Sequence, residues 1–153
     1  MVKKAFGRLT MLRKLVCFDV SDQDLVIIYI LFIRSVIESN CVVWHSSITE
    51  EENDDLERVQ KCSLRVILQE RYTSYEEALE ALGLEDLKSR RERLCLDFAR
   101  KCIETPGIRD WFPKNIQNLH DTRDQEEFQV SFANNERFKI STIPYLQRLL
   151  NSN

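Results

Sequence analysis

The chain has 153 residues, 43% of them hydrophobic, which suits one domain's length and supplies a real core. Only three glycines and three prolines stand among many Leu, Glu, Arg and Lys, so helices are favoured over a turn-rich β architecture. Five cysteines without C-x-x-C spacing and two distant histidines indicate neither a zinc site nor a disulfide framework. The cysteines are interpreted as packing residues in a reducing compartment.

The first predicted element is a basic amphipathic helix over residues 2–16. The N-terminus lacks the continuous apolar segment of a secretion signal, so we expect an intracellular protein of the cytoplasm or nucleus. "LVIIYILFI", residues 25–33, is apolar around the whole helix but too short to cross a bilayer, and no membrane association is expected. It predicts a buried central helix from Ser21 to about Glu38, followed by a turn or short extended piece over residues 39–45.

The clearest helix start is Thr49, which is followed by three glutamates in a capping box. It predicts a helix over residues 50–69 with one apolar side. Arg58, Lys61 and Arg65 fall within one narrow arc on the opposite side of that helix. The helix therefore separates its apolar residues from its charge.

Two further helices follow in the middle of the chain. Ser74 starts a short one that ends at Gly83, where a left-handed cap is expected. A longer helix lies within "LEDLKSRRERLCLDFARKCIETPG", stops at Pro106 and has Arg90 and Arg93 mainly on its outer face. Its predicted inward residues are Leu87, Leu94, Cys95, Phe98, Ala99 and Cys102.

Arg91 falls on the apolar side of this longer helix, near Leu87 and Leu94. A guanidinium at such a position needs a carboxylate, a carbonyl or a ligand phosphate, since burial without a partner is costly. We expect an internal structural partner in preference to a ligand.

Beyond Trp111 the periodicity weakens. The segments "FQVSF" and "RFKI" flank Asn134 and Asn135, which predicts a small hairpin. Pro144 predicts the start of a last short helix, "PYLQRLLN", which docks on the core. The expected fold is mainly α, a small helical bundle over residues 1–105 with a less regular extension over residues 106–153.

The sequence offers no self-contained active site. Carboxylates bunch as "EEENDD" and "EEALE" at helix starts, where capping explains them better than metal binding does. His45 and His120 have no Ser or Cys nucleophile motif beside them, and no Gly-rich phosphate loop occurs. We expect no enzymatic activity, no catalytic residue, no metal and no cofactor.

The order of three long segments carries a family resemblance. "LFIRSVIESNCVVWHSSITEEENDDLERVQKCSLRVI", then "YTSYEEALEALGLEDLKSRRERLCLDFARKC", then "IPYLQRLLN" resemble the C-terminal part of reverse transcriptases from non-LTR retrotransposons of the jockey-like type. The resemblance implies a helical thumb and the region that trails it, which would grip the RNA template and the growing DNA strand behind the active site. Tyr-x-Asp-Asp and the upstream palm aspartate of that family do not occur here, so the chain is expected to be a fragment without polymerase activity.

The grip hypothesis requires cations that contact phosphates without reading bases, so binding should be sequence-tolerant and salt-dependent. The expected contact residues are Arg58, Lys61, Arg65, Arg90, Arg93, Lys3, Lys4, Arg8 and Lys14. The expected partners are an RNA/DNA hybrid or another nucleic acid, bound weakly because the net charge is -3, and a palm-bearing polymerase.

Two alternatives remain open at this point. One is a helical module for protein interaction or self-association, in which the N-terminal helix with Phe6 and Leu9 is left half-buried and exposes an apolar patch. The other is a relic without function.

Overall fold

The computed structural model describes residues 1–115 and 127–152, and the predicted mainly α fold is confirmed. The helices in chain order are α1 (Val2–Val16), α2 (Asp22–Ile28), α3 (Ser35–Ile37), α4 (Cys41–Trp44), α5 (Glu50–Leu68), α6 (Tyr75–Leu82), α7 (Leu87–Glu104), α8 (Glu136–Lys139) and α9 (Thr142–Asn151). A π-helix (Tyr29–Arg34) joins α2 to α3 without a break, and we call residues 22–37 together the α2–α3 helix.

The chain divides into two compact units. The first unit consists of Met1–Asn40 and Ile48–Arg91, and the second of Cys41–Ser47 and Glu92–Asn153. The boundary expected at residue 105 follows the end of α7, whereas the compact units divide inside this helix. The reason is that Cys95, Ala99 and Cys102 of α7 belong to the core of the second unit.

The predicted helix starts and the predicted cap are confirmed by hydrogen bonds within single turns. The Ser21 and Ser74 hydroxyls each accept a bond from the backbone N–H three residues later. Thr49 forms a complete capping box with Glu52. Gly83 closes α6 in the left-handed conformation, with φ of 62°, which costs glycine no steric strain.

The α1 helix is docked through its apolar face. Ala5, Leu9 and Leu12 are buried on α1, and α1 packs against α5 within the first unit. Leu9 is only 1% exposed. The expectation that α1 is left half-buried around Phe6 and Leu9 is therefore wrong at Leu9, which is buried in the packing of the first unit.

The α2–α3 helix buries one face and exposes the other. Leu25 and Tyr29 are buried, whereas Ile27 is 51% and Leu31 is 70% exposed. The prediction of a buried central helix therefore holds for one face only and is wrong for the other. This helix meets α1 and α5 of the first unit along one side, and that packing covers a single stripe of a helix that is apolar all round.

The apolar stretch that bears on whether the chain could cross a membrane is longer than residues 25–33. Asp22–Ser47 is helical except for a turn at residues 38–40. By length and composition alone this stretch is long and apolar enough to cross a membrane, and 28% of its apolar window is buried. Within it, Cys41–Trp44 forms α4 and His45–Ser47 a 3-10 turn, so the extended alternative for residues 39–45 is wrong.

The core of the second unit forms around the C-terminal part of α7. Its buried residues are Cys95, Ala99, Cys102, Phe112, Phe128 and Leu146. The last helix begins at Thr142 and docks Leu146 here as predicted, with Tyr145, Leu149 and Leu150 packed around it. Phe98 is 44% exposed and was wrongly expected inside, because it lies at the edge of the buried stripe.

The predicted hairpin around Asn134 and Asn135 is wrong. Glu136–Lys139 forms the short helix α8, and the Asn135 side chain caps it by accepting a 2.8 Å hydrogen bond from the Phe138 N–H. Phe128 instead makes an isolated antiparallel bridge with Lys114. Asn135 therefore acts as a helix cap, a role that asparagine fills as readily as a turn position.

Candidate nucleic-acid interface

The solvent side of α5 carries the three cations that the sequence places on one arc. The apolar residues of α5 are buried on its other side, while Arg58 and Arg65 are exposed and Lys61 is partly buried. Residues spaced by three and four lie along one helix face. We call this set of three residues, Arg58, Lys61 and Arg65, the α5 basic face.

Two tyrosines hold two of these cations. The Lys61 Nζ lies 4.9 Å from the centroid of the Tyr75 ring, and the Arg65 Cζ lies 5.1 Å from that of Tyr72. A cation over an aromatic ring at an exposed site gains about 0.5–1 kcal/mol. The first contact orients Lys61 toward α6, and the second orients Arg65 toward the segment that precedes α6. Arg65 stays exposed, so its guanidinium can still donate to a phosphate.

Arg58 has an acidic neighbour on its own helix. Its Nη1 lies 2.8 Å from the Asp55 Oδ1, and the two side chains are 65% and 43% exposed. A surface pair of this kind contributes about 0–1 kcal/mol, so a phosphate can replace the carboxylate. The glutamates Glu50–Glu52 occupy the first turn of α5 and confine the cationic stretch to the later turns.

Arg90 is held in a group of ion pairs within the first unit. Its Nε lies 2.6 Å from Glu38 Oε1, its Nη1 lies 3.1 Å from Glu85 Oε1, and its side chain is 21% exposed. Burial by itself would lower the pKa of Arg90, but the two carboxylates outweigh it and raise that pKa. Because its guanidinium is already paired with two carboxylates, Arg90 is a structural residue of this unit and is not part of the candidate interface.

Arg34 joins the same group from the α2–α3 helix. Its Nε lies 3.7 Å from Glu38, and the residue is 8% exposed. Burial lowers the pKa of Arg34, and Glu38 partly offsets that effect. Glu38 thus bridges two arginines that come from different helices and ties the end of the α2–α3 helix to the start of α7.

The α1 helix presents Lys3, Lys4 and Lys14 to solvent. Arg8 is different, because its Nη1 donates to the Phe32 carbonyl oxygen and its guanidinium lies 4.3 Å from the centroid of the Phe32 ring. Arg8 therefore fastens α1 to the α2–α3 helix. The three lysines remain candidates for phosphate contact.

The two arginines that follow Arg90 have separate environments. Arg93 is exposed and belongs to the second unit. Arg91 is fully buried, and its Nη2 donates to the Asn53 Oδ1 of α5. The prediction of an internal partner for Arg91 is confirmed.

A chain of buried hydrogen bonds positions Tyr75 beneath the α5 basic face. The Tyr29 hydroxyl donates to Gln60 Oε1, and Gln60 Nε2 donates to the Tyr75 oxygen and the Glu85 carbonyl, both at 2.9 Å. The Tyr75 hydroxyl donates to Glu57 Oε2 at 2.6 Å, and Glu57 Oε1 accepts the Lys88 N–H at 2.9 Å. Burial, followed by the bond to Glu57, raises the pKa of Tyr75.

Reasoning from sequence missed this group of residues, although a signal for it existed. Glu57 and Gln60 lie on the same side of α5 as Leu56 and Val59, and they are 8% and 0% exposed. Polar side chains on the apolar side of a helix must find partners. Which partners they find depends on Tyr29 and Tyr75, which are distant in sequence.

Within residues 1–115 and 127–152, no group of three His, Cys, Asp or Glu residues could hold a metal ion. His45 is 9% exposed and meets the Tyr145 ring edge-on at 5.8 Å between centroids, inside the second unit. His120 lies outside the described residues. Cys41, Cys95 and Cys102 are buried, as their predicted packing role requires, whereas Cys17 is exposed, so the packing prediction is wrong there.

Comparison with known proteins returned no match: no family model, no curated protein and no solved structure matches the chain.

Proposed function

We propose that this chain is the thumb-like part of a non-LTR retrotransposon reverse transcriptase, and that it grips an RNA template and a DNA primer through phosphate contacts. The α5 basic face is the observation that carries the proposal. It places two exposed arginines and one lysine on a single rigid helix. The order of the sequence segments that resemble this family supplies the enzyme class.

The exposed groups of the α5 basic face favour phosphate binding over base reading. Arg58 and Arg65 present guanidinium groups at the surface, and guanidinium matches the geometry of phosphate oxygens. The α5 basic face lies on a helix whose opposite side is buried, so it forms a fixed row. A row of cations at helical spacing can follow a backbone, and it accepts any base sequence.

The negative net charge limits the affinity of the isolated chain for nucleic acid. The net charge is -3, and acidic residues fill the first turns of α5 and α6. Phosphate contacts by three cations should give a slope of about -3 in a plot of log affinity against log salt concentration. A palm-bearing polymerase would supply the catalytic carboxylates and additional affinity.

The test measures binding to an RNA/DNA hybrid, a DNA duplex and a single strand by fluorescence anisotropy, each over a range of salt concentrations. The variant carries Arg58→Glu, Lys61→Glu and Arg65→Glu. The matched control carries Arg109→Glu, Arg137→Glu and Lys139→Glu, which change the net charge equally at exposed cations of the second unit.

We expect the α5 variant to lose hybrid binding at low salt, while the control keeps most of it. Circular dichroism should show equal helicity in both variants, because all six side chains lie outside the buried core. Equal loss in the two variants would show that net charge alone governs binding, and it would refute the proposed role of the α5 basic face.

A further inference from the structure

Every fourth residue of the α2–α3 helix from residue 23 to residue 35 faces solvent. These residues, which we call the outer ridge, are Gln23, Ile27, Leu31 and Ser35. Its centre is apolar, since Ile27 is 51% and Leu31 is 70% exposed. Residues spaced by four form the ridges by which helices pack against one another, and an apolar centre with polar ends is the usual composition of a protein interface.

The surroundings of the outer ridge favour a protein partner over a lipid surface. Phe32, next to Leu31, is 39% exposed and widens the apolar centre. Asp19 and Asp24 are exposed near the N-terminal end of the ridge, where they would repel anionic lipid headgroups. The opposite face of this helix holds the buried Tyr29 hydroxyl in its bond to Gln60, which ties the helix to the first unit.

Charged groups of opposite sign lie near the two ends of the outer ridge. Asp24 follows Gln23 by one position, and Phe32 follows Leu31 by one position, so both flank the ridge on the same side. Arg8 is fastened to Phe32 through the carbonyl and the ring. An acid therefore lies near one end of the ridge and a cation near the other, on one side of the helix.

We propose that the chain forms a homodimer in which the outer ridge packs against the outer ridge of a second copy in antiparallel orientation. A two-fold axis midway between Ile27 and Leu31 brings each of these side chains onto the other in the partner. The same axis keeps the flanking side in register and places Asp24 of one copy near Arg8 of the other. A parallel pair would instead put the two flanking sides on opposite sides of the contact, so that Asp24 of one copy would not lie near Arg8 of the other. The proposal is independent of the α5 basic face.

The test is to measure the mass of the full chain in solution by analytical ultracentrifugation, from low-micromolar to high-micromolar concentration. We expect a monomer–dimer equilibrium without larger species, because an isologous contact closes on itself. Leu31→Glu should remove the dimer. The matched control is Phe132→Glu, since Phe132 is 86% exposed and lies in the second unit, and it should leave the dimer intact.

Charge reversal tests the antiparallel arrangement. Asp24→Arg should weaken the dimer roughly tenfold, because two symmetric attractions become repulsions. Asp24→Asn should weaken the dimer by a smaller factor, because it removes the attraction to Arg8 without introducing a repulsion. If Asp24→Arg has no effect while Leu31→Glu still removes the dimer, the proposed orientation is overturned.

Two further outcomes would overturn the proposal as a whole. One is an unmutated chain that stays monomeric over the whole concentration range. The other is a monomer that sediments with phosphatidylcholine–phosphatidylserine vesicles and loses this binding on Leu31→Glu, which would make the ridge a lipid-binding surface. Hybrid binding by Leu31→Glu is expected to match that of the unmutated monomer, so failure of the dimer and failure of the phosphate grip are distinguishable.

Discussion

Gln60 is the centre of the buried hydrogen bonds in the first unit, and Gln60→Leu tests their contribution to stability. The side chain is 0% exposed and makes three hydrogen bonds, to Tyr29, Tyr75 and the Glu85 carbonyl. Leucine keeps much of the volume but provides no donor or acceptor. The Tyr29 hydroxyl and the Glu85 carbonyl then lose these partners in a buried or partly buried place.

The size of the stability loss follows from the polar groups that Gln60→Leu leaves without a hydrogen-bond partner. A buried polar group without a hydrogen bond costs about 1–3 kcal/mol. The Tyr29 hydroxyl is fully buried and the Glu85 residue only partly, so we expect Gln60→Leu to lower the free energy of unfolding by about 3 kcal/mol. Tyr29→Phe alone should cost about 1–1.5 kcal/mol, because it removes the donor that the buried Gln60 Oε1 accepts from.

The double variant separates a specific bond from general disruption. In Tyr29→Phe, the hydroxyl that Gln60→Leu would leave without a partner is already absent. The cost of the double variant should therefore fall below the sum of the single costs by about 1 kcal/mol. Amide hydrogen exchange of α5 is the assay, because it reports the opening of the first unit itself. Additive costs, or a loss under about 0.5 kcal/mol for Gln60→Leu, would refute this account of the core.

Three further predictions concern single side chains. Arg90→Ala should lower the free energy of unfolding by about 2 kcal/mol in urea titrations, because two partly buried carboxylates lose their cation. Lys3→Ala should change it by less than about 0.5 kcal/mol. Equal effects of the two variants would contradict the structural role of Arg90. Leu9→Ala should cost about 3 kcal/mol by the same assay, and Met11→Ala, at an exposed position of the same helix, should be nearly neutral. Cys17, the exposed thiol, should react with Ellman's reagent before the buried thiols do, and simultaneous reaction would argue against the packed cores.

Many of the helix termini could be predicted because their determinants are local. Ser21, Thr49 and Ser74 each bond a backbone N–H three residues later, so the signal is complete within one turn of sequence. Gly83 ends α6 for a similarly local reason, since only its own φ of 62° is involved. The hairpin prediction failed because Asn135 serves turns and helix caps equally, and adjacent residues do not distinguish the two.

The candidate interface could be predicted only in part. The arc of Arg58, Lys61 and Arg65 follows from helical spacing within α5. The role of Arg90 could not be predicted, because Glu38 lies 52 residues away in the sequence and meets it at 2.6 Å. The same spacing that placed Arg90 on an outer face contains no information about a carboxylate brought there by another helix.

The sequence by itself determined that the chain is helical, where several helices begin and end, and that one face of α5 is cationic, since these depend on residues within one or two turns of each other. Only the tertiary structure decided which stripe of the apolar α2–α3 helix is buried. It likewise decided that Leu9 is covered, and that Gln60 joins Tyr29 to Tyr75. A helix that is apolar all round has no preferred face, so the elements that pack against it determine which side chains remain at the surface.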